Sequence, residues 1–382
     1  MANNLTALQP VLFSTAQRVS AEPFGVIDAI SANFNDQGVA KGDLVKVPVA
    51  PTRAASDFTP GNIAGTGADA TAEDVEVQIT KSRKVDWHLT GEQMRSLENG
   101  GDNAMEMASQ LVAQGMRTLR NEAEADAAIA VKQGASRAFG TAGTNPFGSN
   151  MDIMADLRKM LRDNGAPMSD AQMCFDTTSE AALLKLGIVI EADKAGTAEE
   201  RRSGNLQRQF GFVPRQSAGI TSHTKGAGTG YDINNGSGYS AGASTITLDG
   251  GTINTTGIAA GDVVTFAGDS NKYVVNQGLV ATGGDIIIGK PGLLAAGADA
   301  TEMTIGNSYT PILAFEREAV VGVMRPPIMP DNPTQTAVLI SDAMGMTYLM
   351  LDIAQYGQRT WELHLAWGFK AVQPEHIVLG LS

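Results

Sequence analysis

Three patterns in this 382-residue chain have the residue types that chemistry needs. Residues 238–242, Gly-Tyr-Ser-Ala-Gly, match the turn that lifts a nucleophilic serine, here Ser240, above a sheet. That turn requires a strand before it and a helix after it. Glycine and asparagine precede this one and a strand-like run follows, so Ser240 is not expected to act as a nucleophile. Residues 226–230, Gly-Ala-Gly-Thr-Gly, share only glycine content with a phosphate loop. No Gly-Lys-Ser/Thr completes them and no helical pattern follows. The four histidines, His88, His223, His364 and His376, are scattered, with no His-x-x-x-His pair and no cysteine at zinc spacing. Each reads as a solvated or hydrogen-bonded imidazole. The 41 acidic residues contain no calcium loop. The lone Cys174, in an apolar run, reads as a small core residue and leaves no disulfide within the chain. The expectation is no catalytic, cofactor-binding or metal-ligating residue and no cofactor: not an enzyme.

The elements that would have positioned such groups suggest another kind of work. Residues 101–133 lack proline, hold one internal glycine (Gly115), and are rich in Ala, Met, Leu, Gln, Glu and Arg, all strong helix formers. Apolar side chains recur at Met105, Ala108, Leu111, Val112, Met116, Leu119, Ala123, Ala127 and Val131, which is helical spacing. Asp102 or Asn103 can cap the start, and Gly134 stands where a helix stop is expected. The helix would be ~45–50 Å long, several times the average. Gln114, Arg117, Arg120, Glu122, Glu124 and Asp126 define its wet side.

Composition narrows the class. A chain with 43% hydrophobic residues can bury substantial cores, and its length suggests two to three domains. A net charge of −13 argues against a duplex DNA or RNA binder, which needs a basic face. No run of eighteen apolar residues exists, so nothing is expected to span a membrane. The first residues lack the basic and apolar regions of a secretion signal, which implies a reducing, cytosol-like compartment.

In chain order, residues 5–33 read as an amphipathic arm interrupted by Pro10 and Pro23. The arm has no evident core of its own and is expected to lie across another part of an assembly. Period-two alternation marks Val45, Val47 and Val49, then Val75, Val77, Ile79, Val85, Trp87 and Leu89, with Lys81 and Arg83 on the same face. Residues 51–74 between them are a Gly/Ala/Thr loop. A long two-stranded ribbon results. Such a ribbon is marginal alone, so it is expected to dock on a neighbouring subunit. A helix at 151–163, a strand at 173–175 and a helix at 179–186, capped by Thr178 or Ser179, come next. Residues 217–307 are poor in charge and rich in Gly, Thr, Ser and Asn. They show strand-like runs at 245–248, 262–266, 272–275, 285–288 and 303–305, as a small inserted barrel or sandwich would. A strand-like run at 319–324 follows. The aromatic alternation Trp361, Leu363, Leu365, Trp367, Phe369 belongs in the middle of a packed sheet.

An arm, an extended hairpin, a spine helix, a mixed domain and a late aromatic strand, in that order, resemble the major capsid proteins of tailed bacteriophages. The resemblance is to the Hong Kong 97-type α+β fold, in the short-tailed-phage subgroup that carries an inserted small antiparallel β-barrel. Residues 203–217, 257–268 and 366–381 carry it most. It implies an N-terminal arm at 1–34, an extended loop at 35–92, a peripheral domain with the spine helix at 93–137, an axial domain at 138–222 plus 309–382, and an inserted barrel at 223–308. It also implies a coat protein assembling with copies of itself into hexamers and pentamers of an icosahedral shell, in the host cytoplasm. The partners implied are a separate scaffolding protein, a portal and packaged double-stranded DNA bound without sequence specificity. In the family an outstretched loop of the insertion touches the neighbouring capsomer, and residues 226–242 would be its counterpart. The alternatives are a bacterial nanocompartment (encapsulin-like) shell, a tail or decoration protein, and a serine hydrolase built on Ser240.

Overall fold

The computed structural model describes residues 25–34, 37–49, 57, 60, 73–93, 95, 102–186, 208–253, 256–329, 335–341 and 345–382. Residues 1–24 of the expected arm, most of the loop at 51–72 and the stretch 187–207 lie outside that set. Helices α1 (Val26–Ala29), α2 (Asp102–Gln133), α3 (Asp152–Asp163) and α4 (Thr177–Leu183) pack on the strands.

The expected spine is α2, 32 residues without a break. Val112, Met116, Leu119, Ala123, Ala127 and Val131 are buried, as the spacing predicts, whereas Leu111 is exposed. Gly115 lies under Trp87, Val85 and Leu363, where a Cβ would stand 3.4–3.7 Å from them in ordinary contact, so helix–sheet packing does not require glycine there. Gly134 does not have left-handed backbone. A Cβ there would stand 2.1 Å from that of Ala371, so close packing explains the glycine. Arg120 and Glu124, expected on the wet side, are buried. The helix is covered by more than the sheet: α1 and residues 217–220 pack against the flank that carries them.

Beneath α2 lies a six-stranded sheet of β1 (Ser31–Phe34), β4 (Lys81–Thr90), β15 (Val320–Arg325), β16 (Gln335–Ser341), β17 (Thr347–Gln355) and β18 (Gln358–Ala371). The aromatic strand β18 is central, as expected. β4 runs antiparallel along one side of it, from Gln358↔Thr90 to Trp367↔Lys81. β17 and β15 share the other side, pairing with its first and last halves. Trp361, Leu363, Leu365 and Trp367 point into the core shared with α2.

Two expectations change here. The ribbon of β2 (Leu44–Val49) and β3 (Glu73–Gln78) spans only six residues a side. The alternating run then leaves it: Thr80 N bonds Trp367 O, and β4 joins β18 of its own chain. The reason is the pair of cations on the apolar face. Lys81 and Arg83 meet Glu122 and Asp126 of α2, so β4 has a docking surface within the subunit. Likewise Val26, Ile27, Ala29 and Ile30 are buried in this chain, and β1 pairs in parallel with β15, so this end of the arm has a core of its own.

The second sheet has eleven strands. β5 (Arg137–Gly140), β6 (Ala171–Phe175), β7 (Val213–Gln216), β14 (Pro311–Glu316) and β19 (Ile377–Leu381) form one part, with α3 and α4 packed on it through Ile153, Met154, Leu157, Leu161 and Leu183. The cap of α4 is Asp176, which accepts from Thr178 N and Ser179 N, in place of the expected Thr178 or Ser179. The other part is β8 (Tyr231–Ile233), β9 (Thr245–Asp249), β10 (Val263–Phe266), β11 (Lys272–Gln277), β12 (Gly284–Ile288) and β13 (Glu302–Ile305). The pairings β10–β13–β8–β9–β12–β11 return to β10, closing a ring around Tyr231, Ile246, Leu248, Val264, Tyr273 and Ile286. Five of these strands overlap the sequence-derived runs. The three-residue β8 is too short to show alternation. Residues 309–382, expected to join 138–222 as one unit, are divided: β14 and β19 lie in this sheet, whereas β15 to β18 lie in the sheet under α2.

Candidate functional site

Three polar constellations tie distant parts of the chain to α2. The first is a clamp on β4 and β18. Asp126 accepts from Trp367 Nε1 at 2.8 Å and from Lys81 Nζ at 2.9 Å, and Glu122 accepts from Arg83 Nε at 2.9 Å. Trp367 is wholly buried, so its N–H needs an acceptor, and Asp126, whose side chain is mostly buried, supplies it.

The second is an arm latch. The buried Glu124 carboxylate accepts from Val26 N at 2.6 Å, Ile27 N at 2.8 Å and Ser217 Oγ at 2.6 Å. It satisfies the free N–H groups at the start of α1 with an anion where the helix end favours one. Cys174 Sγ reaches Gly25 O in the same region, and burial pushes the thiol well up, away from the reactive thiolate. Glu124→Ala strands three buried donors and is expected to cost about 2 kcal/mol. Urea unfolding measures that loss, and hydrogen exchange should quicken first at Val26 and Ile27.

The third is a joint at the neck of the barrel. The chain enters and leaves the ring side by side, with His223 and Tyr309 exchanging backbone bonds at 2.7 and 3.2 Å. Asp262, 1% exposed, accepts from His223 Nε2 at 2.8 Å, Ala259 N at 2.7 Å and Gly226 N at 3.1 Å. The His223 ring lies against Tyr309, whose hydroxyl donates to Gly261 O at 2.7 Å. Lys132, near the end of α2, comes to the same place. Burial lowers its pKa while the Asp262 charge opposes that shift. β11 also pairs with β5, so the ring joins the body through hydrogen-bonded backbone as well as through the neck.

The decisive comparison is with the capsid structure of the cyanophage P-SCSP1u. It matches at a TM-score of 0.51 and 13% identity, over 94% of this chain and 88% of that one. This chain has a phage capsid fold. Looser matches include the capsid of Ralstonia phage GP4 (TM-score 0.48, 11% identity, 93% and 87% covered) and Mycobacterium phage Che8 (0.46, 13%, 89% and 85%). No family model and no curated protein matches the sequence.

Within this capsid fold the sequence's chemical candidates fall apart. Ser240 sits exposed in a turn of the barrel, and strand β9, not a helix, follows it, so there is no nucleophile elbow. His223 bonds Asp262, His364 bonds Glu362 and His376 bonds Gln373. Residues 226–230 are a loop beside Asp262 and open no helix. Among the described residues no three His, Cys, Asp or Glu side chains gather as metal ligands, and no helix is long and apolar enough to cross a membrane. An open cleft of about 640 Å³ lies between α2, Thr177 and residues 216–221. Another of about 600 Å³ lies beside Arg137, which caps the end of α3 through Met160 O and Asn164 Oδ1. The sequence missed the Glu124 latch and the Asp262 joint. The available signal for the joint was an acid inside the apolar run 258–266.

One pair gives the sheet a pH response. Burial holds His364 below the ordinary histidine pKa despite the Glu362 bond at 3.0 Å. Burial raises the Glu362 carboxyl, but its bonds to Lys84 and His364 outweigh that and hold it below the usual range. A neutral imidazole N–H donating to a carboxylate fits both directions. The unfolded chain therefore binds more protons than the native one, first as pH falls below ~6.5 and again below ~4.5. Stability is expected to be flat above pH 7 with respect to this pair and to decline below about pH 6.5. In His364→Asn the decline between pH 6.5 and 5 should be visibly reduced in urea midpoints.

Proposed function

We propose that this chain is the major capsid (coat) protein of a tailed double-stranded DNA phage, assembling with copies of itself into the hexamers and pentamers of an icosahedral shell. The observation that carries the reading is the capsid fold, matched to the cyanophage capsid structure over nearly the whole of both chains. In this reading residues 35–92 hold the extended loop, and 223–308 are an inserted barrel of the short-tailed-phage type, whose closed ring and own core support that assignment. A scaffolding protein and a portal are separate partners. Packaged DNA is enclosed without specific binding by a chain of net charge −13. Assembly takes place in the host cytoplasm.

The physics suits the role. Closed rings need heterologous contacts, and large interfaces come from interlocking elements. The foot of the β2–β3 ribbon packs through Val45, Val47 and Val77 on Val321, Val323 and Ala366 of its own chain, so the farther end of the ribbon is the part that gains by lying on a neighbour. Negative-stain electron microscopy of the purified full chain tests the proposal. Closed shells or capsomer rings are expected; a lone subunit at every salt and protein concentration would overturn it.

A further inference from the structure

The sheet under α2 ends in an open strand. β16 pairs with β17 on one side, and among the described residues no strand lies along its other side. Free edges are templates for another strand, and proteins that remain alone blunt them with lysine, proline or a bulge. β16 has none of these. Gln335-Thr336-Ala337-Val338-Leu339-Ile340-Ser341 carries no charge and no proline, and its pairing with β17 has no register break. Thr336, Ala337 and Leu339 are exposed, the last by half. Beside the Gln335 end, the β17–β18 turn presents Tyr356, 97% exposed and at a φ of +50°. Tyr356 and Gly357, both at positive φ, are the two central residues of this hairpin turn, so the turn geometry fixes the backbone and leaves the tyrosine ring projecting from the sheet.

We propose that the β16 edge and Tyr356 form a two-fold contact between two copies of this chain, β16 pairing antiparallel with its own image. Charge selects this occupant. At net −13, copies repel over most of their surfaces. Antiparallel self-pairing places a strand opposite its own image, so any charge near the axis faces its like. An uncharged strand removes that penalty, and an isologous contact requires a patch compatible with itself. Main-chain bonds across the edge supply the attraction, and Tyr356 is the aromatic anchor beside them. The inference rests on the shell reading above and names a contact which that reading leaves open.

Two measurements on the full chain test it. The double variant Leu339→Lys, Tyr356→Ser should lower the yield of assembled particles by about ten-fold or more, with the urea midpoint of the subunit unchanged. Single cysteines, Thr336→Cys, Ala337→Cys and Leu339→Cys, are then oxidised in assembled particles, the native Cys174 being buried. The position nearest the two-fold axis should give disulfide-linked dimers on a non-reducing gel. Normal particle yield from the double variant, or monomers alone from all three cysteine variants, overturns the contact and leaves the shell reading standing. Wild-type protein that forms no particle at all overturns the shell reading and this contact with it.

Discussion

Trp367→Ala is expected to cost about 3–5 kcal/mol, enough to remove most of the soluble protein. Trp367 is the largest fully buried side chain, and it sits in the core that α2 shares with both sheets. Truncation removes its packing and leaves a cavity between elements that are each rigid, a 32-residue helix and a 14-residue strand, so collapse around the void is limited. Trp367→Phe separates packing from hydrogen bonding. It keeps most of the apolar volume but removes the N–H that Asp126 accepts. Asp126 retains Lys81 and has some access to water, so this variant should lose only about 1 kcal/mol. Urea midpoints of the two variants measure the difference. Equal losses would mean that the clamp, rather than the packing, holds the sheet to the spine.

What could be read in advance follows from the range of the interaction. The spine helix and the strand around Trp367 announce themselves because periodicity is local: each residue's neighbours three, four or two places away decide its face. Likewise turn residues at Asp249-Gly250 and Gly283-Gly284 bound the barrel strands. The partners of those elements are not local. Lys81 and Arg83 look like interruptions of an apolar face until Glu122 and Asp126 arrive from a helix some forty residues on. Arg120 and Glu124 obey helical spacing for a solvent face, yet Ser217 and Val26, about a hundred residues away, enclose Glu124. The division of residues 309–382 between two sheets was hidden for the same reason, since alternation tells which side chains face inward but not which sheet receives them.

The barrel's attachment gives the other large effect. Asp262→Ala removes one acceptor that serves His223, Ala259 and Gly226, and leaves Lys132 buried without its nearby counter-charge. Removing one member of a buried, bonded pair leaves the remaining donors and charge uncompensated, at about 3–5 kcal/mol. The loss should be local in character. The ring keeps its closed pairing and its own core, and β11 still joins β5. Hydrogen exchange is therefore expected to accelerate first at Gly226, Ala259 and the His223–Tyr309 crossing, with α2 protected until global unfolding. Asp262→Asn should fall between wild type and Ala, because one carbonyl oxygen can still accept while the amide nitrogen faces donors. Combining Asp262→Asn with Lys132→Met tests the link to the spine. Residues coupled through one buried charge pair depart from additivity by more than about 0.5 kcal/mol. Strict additivity would mean that the end of α2 merely passes the neck, and that the barrel's orientation is set by the β5–β11 pairing alone.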